Sequence, residues 1–293
     1  MRKITCAVVF LCVSAIAPTA TWAASSDPLD GVPLEHRTTL RAVAAGYRSV
    51  AKPHYRVVGT CSAESADYAA KTMELLYYNL SYLFAYDGKL QQSLVFIFAN
   101  REQFDKYREM AAKEVTPQAR GFYSPAAKAI VTYDDGDRAL LTRVLMHEGS
   151  HQFLFLVAPK APLWFHEGVA VYLESSTWEG NKLKIGVVPK DRLKHLQDSI
   201  YKGEQPRLET LVVMEFGQEF TLVDYGVAWS LVYFFATADQ GRYAPRIQKY
   251  FKMLKGGSEA DGAFYESFAK DFGPEGFNAL ERRWKKYVLE ELK

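Results

Sequence analysis

The chain has 293 residues, and its 36 Lys and Arg nearly balance its 34 Asp and Glu. With no basic patch interleaved with aromatics, that balance argues against a nucleic-acid partner. The length suits one domain or two closely joined lobes, and beyond the N-terminal segment no apolar run approaches the length of a membrane span.

Residues 1–23 read as a signal peptide. Arg2 and Lys3 form a positive start, Ile4 to Ile16 is an apolar run broken by Thr5 and Ser14, and Thr21-Trp22-Ala23 offers small residues for cleavage after Ala23. The expectation is a periplasmic or secreted chain with no stable membrane insertion; the competing reading of the segment is an uncleaved anchor. Bulky Val9-Phe10-Leu11 before Cys12 does not suit lipidation. Cys6 and Cys12 would leave with the signal, so Cys61 could form no intramolecular disulfide. Stability must then come from a core, which about 270 residues can build.

Residues 24–137 read as an α/β lobe. Ser25 to Pro33 is a polar, loosely held lead-in. Tyr55-Arg56-Val57-Val58-Gly59 alternates as a strand, and Ala63 to Phe84 is a long helix with Tyr68, Met73, Leu76, Leu80 and Leu83 near one face. Ser93 to Phe98 suits a buried strand, and a helix follows from Glu102 to about Ala112. Gly121-Phe122-Tyr123 and Ala129 to Tyr133 flank a Ser124-Pro125 turn and read as a hairpin. Residues 138–293 read as mainly helical. A small hairpin is expected over Lys182 to Val188, and later helices over Lys190–Tyr201, Asp224–Ala238, Ala244–Leu254, Glu259–Phe268 and Pro274–Leu292. The expected class is α+β, a small mixed-sheet lobe with helices followed by a helical lobe.

The chemistry concentrates in His147-Glu148-Gly149-Ser150-His151. Leu140, Val144, Leu145, Met146, Phe153, Leu154 and Phe155 make the surrounding segment a helix, where residues four apart stand one above the other. His147 and His151 can then reach one ion, while Glu148, on the adjacent edge, is placed to hydrogen-bond a water on it as general base. A catalytic zinc wants a third protein ligand and an open position. Glu167 supplies it: Pro162-Leu163-Trp164-Phe165-His166-Glu167-Gly168 opens a new helix after a short break, and an antiparallel return could bring Glu167 beside the first helix. Gly168 allows close approach behind it, and Trp164 and Phe165 are expected to wedge the two helices together. The N2O donor set favours one Zn2+. Two blander readings stay open, a solvated helix face for the pentapeptide and an N-terminal helix charge for Glu167.

The pairing of H-E-x-x-H with the downstream W-F-x-E-G-x-A-x-Y-x-E resembles the gluzincin metallopeptidases, including the M1-type aminopeptidases, and is most similar to the exported bacterial peptidase MA-like proteins. It covers roughly Gly121 to Phe235 and implies a zincin-like arrangement with the metal site between the lobes. It implies Glu167 as third ligand, and Glu174 as a residue orienting a ligand imidazole. It also implies a later Tyr or His steadying the oxyanion, for which Tyr225 is the first choice and His166 the second. Gly121, Phe122 and Tyr123 match a strand to which an extended peptide adds. An ordinary packing role for Tyr225 and a plain structural hairpin for 121–123 remain open. Fifteen residues separate His151 from Glu167, a shorter spacing than the aminopeptidases use, and no G-x-M-E-N segment is present, so aminopeptidase specificity is not carried over. His36, His54 and His195 lack partners at ligand spacing and read as surface residues.

The expected activity is therefore an exported zinc-dependent hydrolase acting on a peptide or protein substrate. The alternatives are a silent zinc-binding protein that keeps the fold, and an amidase acting on cell-wall peptides. The presence of Glu148 discriminates against the first, because a binding role needs no base there.

Overall fold

The computed structural model describes residues 27–293 except Asn181; the expected signal peptide lies outside them. The chain is α+β, with a mixed sheet and helices first and a mostly helical part after it. The first part runs α1 (Leu34–Val43), β1 (Arg48–Ala51), β2 (Tyr55–Gly59), α2 (Ala63–Phe84), β3 (Ser93–Phe98), α3 (Arg101–Ala111), β4 (Gly121–Ser124) and β5 (Ala129–Tyr133). There follow α4 (Arg138–Val157), α5 (Leu163–Glu174), β6 (Thr177–Glu179), β7 (Lys182–Lys184), α6 (Lys190–Lys202), α7 (Leu208–Leu211), α8 (Leu222–Gly241), α9 (Ala244–Lys255), α10 (Ala260–Phe264) and α11 (Phe277–Lys286). Contacts divide the described chain into two units, 27–81 with Asp87–Gln152, and Tyr82–Tyr86 with Phe153–Lys293.

In the first unit five strands lie in the order β1-β2-β3-β5-β4. β2, β3 and β5 pair in parallel, while β1 and β4 are antiparallel edges. Ser93-Leu94-Val95-Phe96-Ile97-Phe98 is apolar without alternation because a parallel strand buries both faces. Val58, Phe96, Phe98, Val131 and Tyr133 pack on one face with Leu40, Val43, Phe104 and Tyr107 of α1 and α3. The alternate residues Val57, Val95, Ile97 and Ile130 are fully buried on the other. On that side Gln152 of α4 donates Nε2 to the backbone carbonyls of Leu94 (3.4 Å) and Lys128 (3.3 Å).

The lead-in is not loosely held where it is described. Leu29 and Val32 belong to the core cluster, and Arg56 donates to the carbonyls of Pro28 and Asp30. Two apolar side chains and a guanidinium fork outweigh the polar composition of the stretch. The second hairpin also differs from expectation. It forms between Thr177–Glu179 and Lys182–Lys184, because the chain turns back after Gly180, at φ +62°, and Trp178 pairs with Leu183.

The second unit is helical. Ten of the twelve residues of α5 are buried, the mark of a helix hydrophobic all round and enclosed on every side. Trp164 meets Tyr250 at a tilt and Phe264 edge-on, while Phe165 meets Tyr250 and Phe84. These partners belong to α9, α10 and α2, so the expected wedge of α5 against α4 is replaced by packing on those helices, because the large rings of Tyr250, Phe264 and Phe84 stand there. No helix of the described residues is long and apolar enough to cross a membrane.

Candidate metal centre

The helix α4 starts on a cap. Asp137 Oδ1 accepts from the amide of Leu140 at 3.0 Å, satisfying one of the donors that a helix start leaves open. Ser150, within the motif, hands its hydroxyl to the Met146 carbonyl one turn back at 2.6 Å, so it is fully accommodated by its own helix. The rings of His147 and His151 stand 4.8 Å apart, centroid to centroid, at 79°, as residues on neighbouring turns of one face should.

The position of α4 is set by what its small residues touch. A Cβ at Gly149 would lie 2.2 Å from Leu76 Cδ2 and 2.7 Å from Met73 Cε, so α2 crosses α4 directly beside the motif. Tyr68 reaches from α2 to the Thr142 hydroxyl. On the strand side, a Cβ at Gly121 would lie 2.5 Å from Val144 Cγ1. One turn further along α4, the backbone amide of Tyr123 donates to Glu148 Oε2 at 3.0 Å.

That last bond defines the edge strand. In an antiparallel pair, alternate residues point both backbone groups away from the partner. Tyr123 faces Ile130 in the β4–β5 register, and its amide, spent on Glu148, points outward. Gly121, two residues earlier, shares that orientation, while the Phe122 side chain belongs to the core cluster. The Tyr123 phenol is raised above its ordinary value by partial burial.

Glu167 lies in the first turns of α5 and is only 8 % exposed. His166 beside it is fully buried, and burial alone lowers its pKa to about 3, so it is a neutral imidazole. It packs against Phe155 and Phe216. A Cβ at Gly168 would meet the Ala228 carbonyl oxygen at 2.6 Å and its carbon at 2.9 Å. The α8 backbone thus lies against α5 at the residue after Glu167.

His147, His151 and Glu167 come together. Each offers one ligand atom, and these atoms lie within 4.8 Å of one another. Two donors on a tetrahedral zinc, each 2.0–2.1 Å from the ion, are about 3.4 Å apart. The spread is within what small side-chain rotations close, and two imidazole nitrogens with a carboxylate oxygen are a donor set that zinc accepts. The residues present fit the ion.

Tyr225 opens α8 one turn before Ala228. Its helix start is fixed by a capping box, with the Asp224 amide on Thr221 Oγ1 (3.3 Å) and the Thr221 amide on Asp224 Oδ2 (2.7 Å). The Tyr225 ring meets Phe220 edge-on at 4.9 Å, and the guanidinium carbon of Arg192 stands 6.0 Å from it. Arg192 also donates to Glu174 Oε1 at 3.3 Å. Arg192, in α6, therefore links two residues singled out by resemblance, and no local pattern in the sequence marks it. Two histidines depart from expectation. His36 is buried, with Nδ1 3.1 Å from the Tyr107 hydroxyl, and His54 is paired through Nδ1 with Glu74 Oε2 at 2.7 Å and stacked on Tyr77. Each found its partner on a distant segment, which spacing along the chain could not reveal. His195 is exposed as expected.

A family model described as "Protein of unknown function (DUF1570)" matches residues 142–253, a stretch that holds His147, His151, Glu167 and α8. No curated protein matches the chain. Among solved structures, the chain is similar to a mutant M1 zinc metallopeptidase from Deinococcus radiodurans, with 14 % identity and a TM-score of 0.47. The similarity covers 85 % of this chain and 52 % of that one, so the chain spans about half the length of the structure it matches.

Proposed function

We propose that this chain is an exported zinc-dependent hydrolase of the gluzincin type that cleaves peptide bonds. The carrying observation is the meeting of His147, His151 and Glu167 within 4.8 Å, with Glu148 next to the first ligand and fixed by the Tyr123 amide at 3.0 Å. A zinc-storage site would need the three ligands and no oriented carboxylate beside them. Bound zinc would lower the pKa of its water toward about 7 and polarise the scissile carbonyl.

The chain's own residues supply the rest. Glu148 takes the proton of the attacking water and returns it to the leaving amine. The Tyr123 amide, anchored in the β4–β5 ladder, holds one oxygen of that carboxylate and fixes its direction. Tyr225 donates its hydroxyl to the oxygen of the tetrahedral carbon, and Arg192, held by Glu174, steadies its ring. The outward groups of Gly121 to Tyr123 receive the extended substrate as an added antiparallel strand. Since the Tyr123 amide is already engaged by Glu148, substrate and base meet at that one backbone position.

Metal analysis of the purified chain beside a digest of a peptide library tests this reading. The expected result is one zinc per chain and cleavage, with Glu148→Gln keeping the zinc while the rate falls by about a thousandfold, within the range for a lost general base. Full zinc without cleavage of any peptide would instead support a silent binding protein.

A further inference from the structure

Three large apolar residues lie exposed within ten positions of one another: Val213 (49 %), Phe216 (49 %) and Leu222 (70 %). Val213 and Phe216 belong to the segment between α7 and α8, Leu222 is the first residue of α8, and that segment is not a slack loop. At its entry the Met214 carbonyl accepts from the Leu163 amide, the first residue of α5, at 3.3 Å. At its exit stands the Thr221–Asp224 capping box. Between them the chain makes a tight turn, in which the Gln218 amide bonds the Glu215 carbonyl at 3.3 Å and Gln218 Oε1 accepts from the Glu215 amide at 2.7 Å. Gly217, at φ +92°, occupies the left-handed position that such a turn requires.

Phe216 is at the corner of this turn, where a polar residue is the usual occupant. Its ring nevertheless lies on Phe155 at 5.3 Å and on His166 at 5.0 Å. Those partners are informative. Phe155 stands one turn after His151 on the stripe of α4 that carries both histidines, and His166 immediately precedes Glu167. Phe220, from the same segment, meets the Tyr225 ring. One pinned segment thus touches the neighbours of two metal-group residues and the proposed hydroxyl donor. It presents half of an aromatic ring to solvent there.

We propose that Phe216 determines specificity by forming an apolar wall for the substrate side chain next to the cleaved bond, and that this residue is aromatic or long aliphatic. The inference rests on the peptidase reading above and names its substrate class. A half-exposed ring fixed beside a reacting centre gains by covering an apolar group and loses nothing by desolvation. Exposed Glu215 and Glu219 flank Phe216 in the same turn, and no cation lies between 208 and 223, so an acidic side chain meets like charge and is rejected.

The test uses the zinc-loaded chain and peptides alike except for Phe, Leu, Ala or Asp placed in turn on either side of the cleaved bond. Phe and Leu are expected to exceed Ala by about tenfold in kcat/KM at one of the two positions, the scale of discrimination an apolar pocket supplies. Asp should rank last. Phe216→Ala should bring the Phe-to-Ala ratio toward one with the zinc content retained, and Phe216→Leu should keep most of it. Should Phe216→Ala fold poorly, Phe216→Gln, polar and similar in length at this half-exposed corner, must show the same collapse. Wild-type cleavage without apolar preference, or a preference that survives Phe216→Ala or Phe216→Gln, overturns the inference and leaves the peptidase reading standing. A zinc-loaded chain that cleaves none of the peptides overturns both.

Discussion

The helices α4 and α5 each place a glycine beside a metal-group residue, and the two glycines meet different neighbours. Gly149 is covered by the ends of the Leu76 and Met73 side chains, whereas Gly168 lies on the backbone carbonyl of Ala228. Side-chain ends can turn aside, but the backbone of a packed helix moves only as a whole. The first contact is therefore a yielding one and the second is stiff. The α4 histidines thus stand on a helix with a yielding contact, and the α5 carboxylate on a helix buried nearly all round.

The largest expected effect tests whether both helices serve one ion. At a thousandfold excess over its dissociation constant, zinc should stabilise the wild-type chain by about 4 kcal/mol, since it binds the folded state. His147→Ala and Glu167→Ala should each abolish that gain in thermal melts with and without the metal. A gain that survives Glu167→Ala would leave α5 outside the site. Next comes the stiff contact itself: Gly168→Ala should cost about 3 kcal/mol in denaturant unfolding, at the upper end for overpacking. Gly149→Ala, where side chains give way and the helix gains intrinsic propensity, should cost about 1 kcal/mol. Equal costs would erase the distinction.

Between these in size lies a change that alters function with the fold kept. Tyr123→Pro deletes an amide that points away from β5, a place where an edge strand tolerates proline. The expectation is a kcat lower by about tenfold, some 1.4 kcal/mol, with zinc content and melting temperature near wild type. Tyr123→Phe should leave kcat near wild type, because it keeps the backbone amide that donates to Glu148. An unaffected kcat in Tyr123→Pro would show that the bond does not position the base.

Much of the frame was legible from residue order alone. The strands Tyr55–Gly59 and Ser93–Phe98 and the helix Ala63–Phe84 appear with the expected bounds, because each carries its own periodicity or unbroken apolar run. That His147, His151 and Glu167 come together was legible, since the spacing of the first two is helical and the third follows a helix break. What escaped depends on partners far away in sequence. The helix α1 went unnoticed because one of its inward positions is held by His36, which counts as polar until Tyr107 is seen beside it. The Glu148–Tyr123 bond spans 25 residues, and Arg192 joins Glu174 to Tyr225 across two further elements. No local pattern encodes such meetings.

Cys61 is buried at 5 % exposure, and burial pushes its thiol up to about 12. A thiol so strongly protonated is a poor nucleophile toward alkylating reagents. In a chain that begins after Ala23, a cysteine introduced at Tyr201, 75 % exposed, would then be the one that reacts. A dye or spin label could be attached there without first removing the native cysteine, and the metal group could be watched from a fixed point as zinc is added.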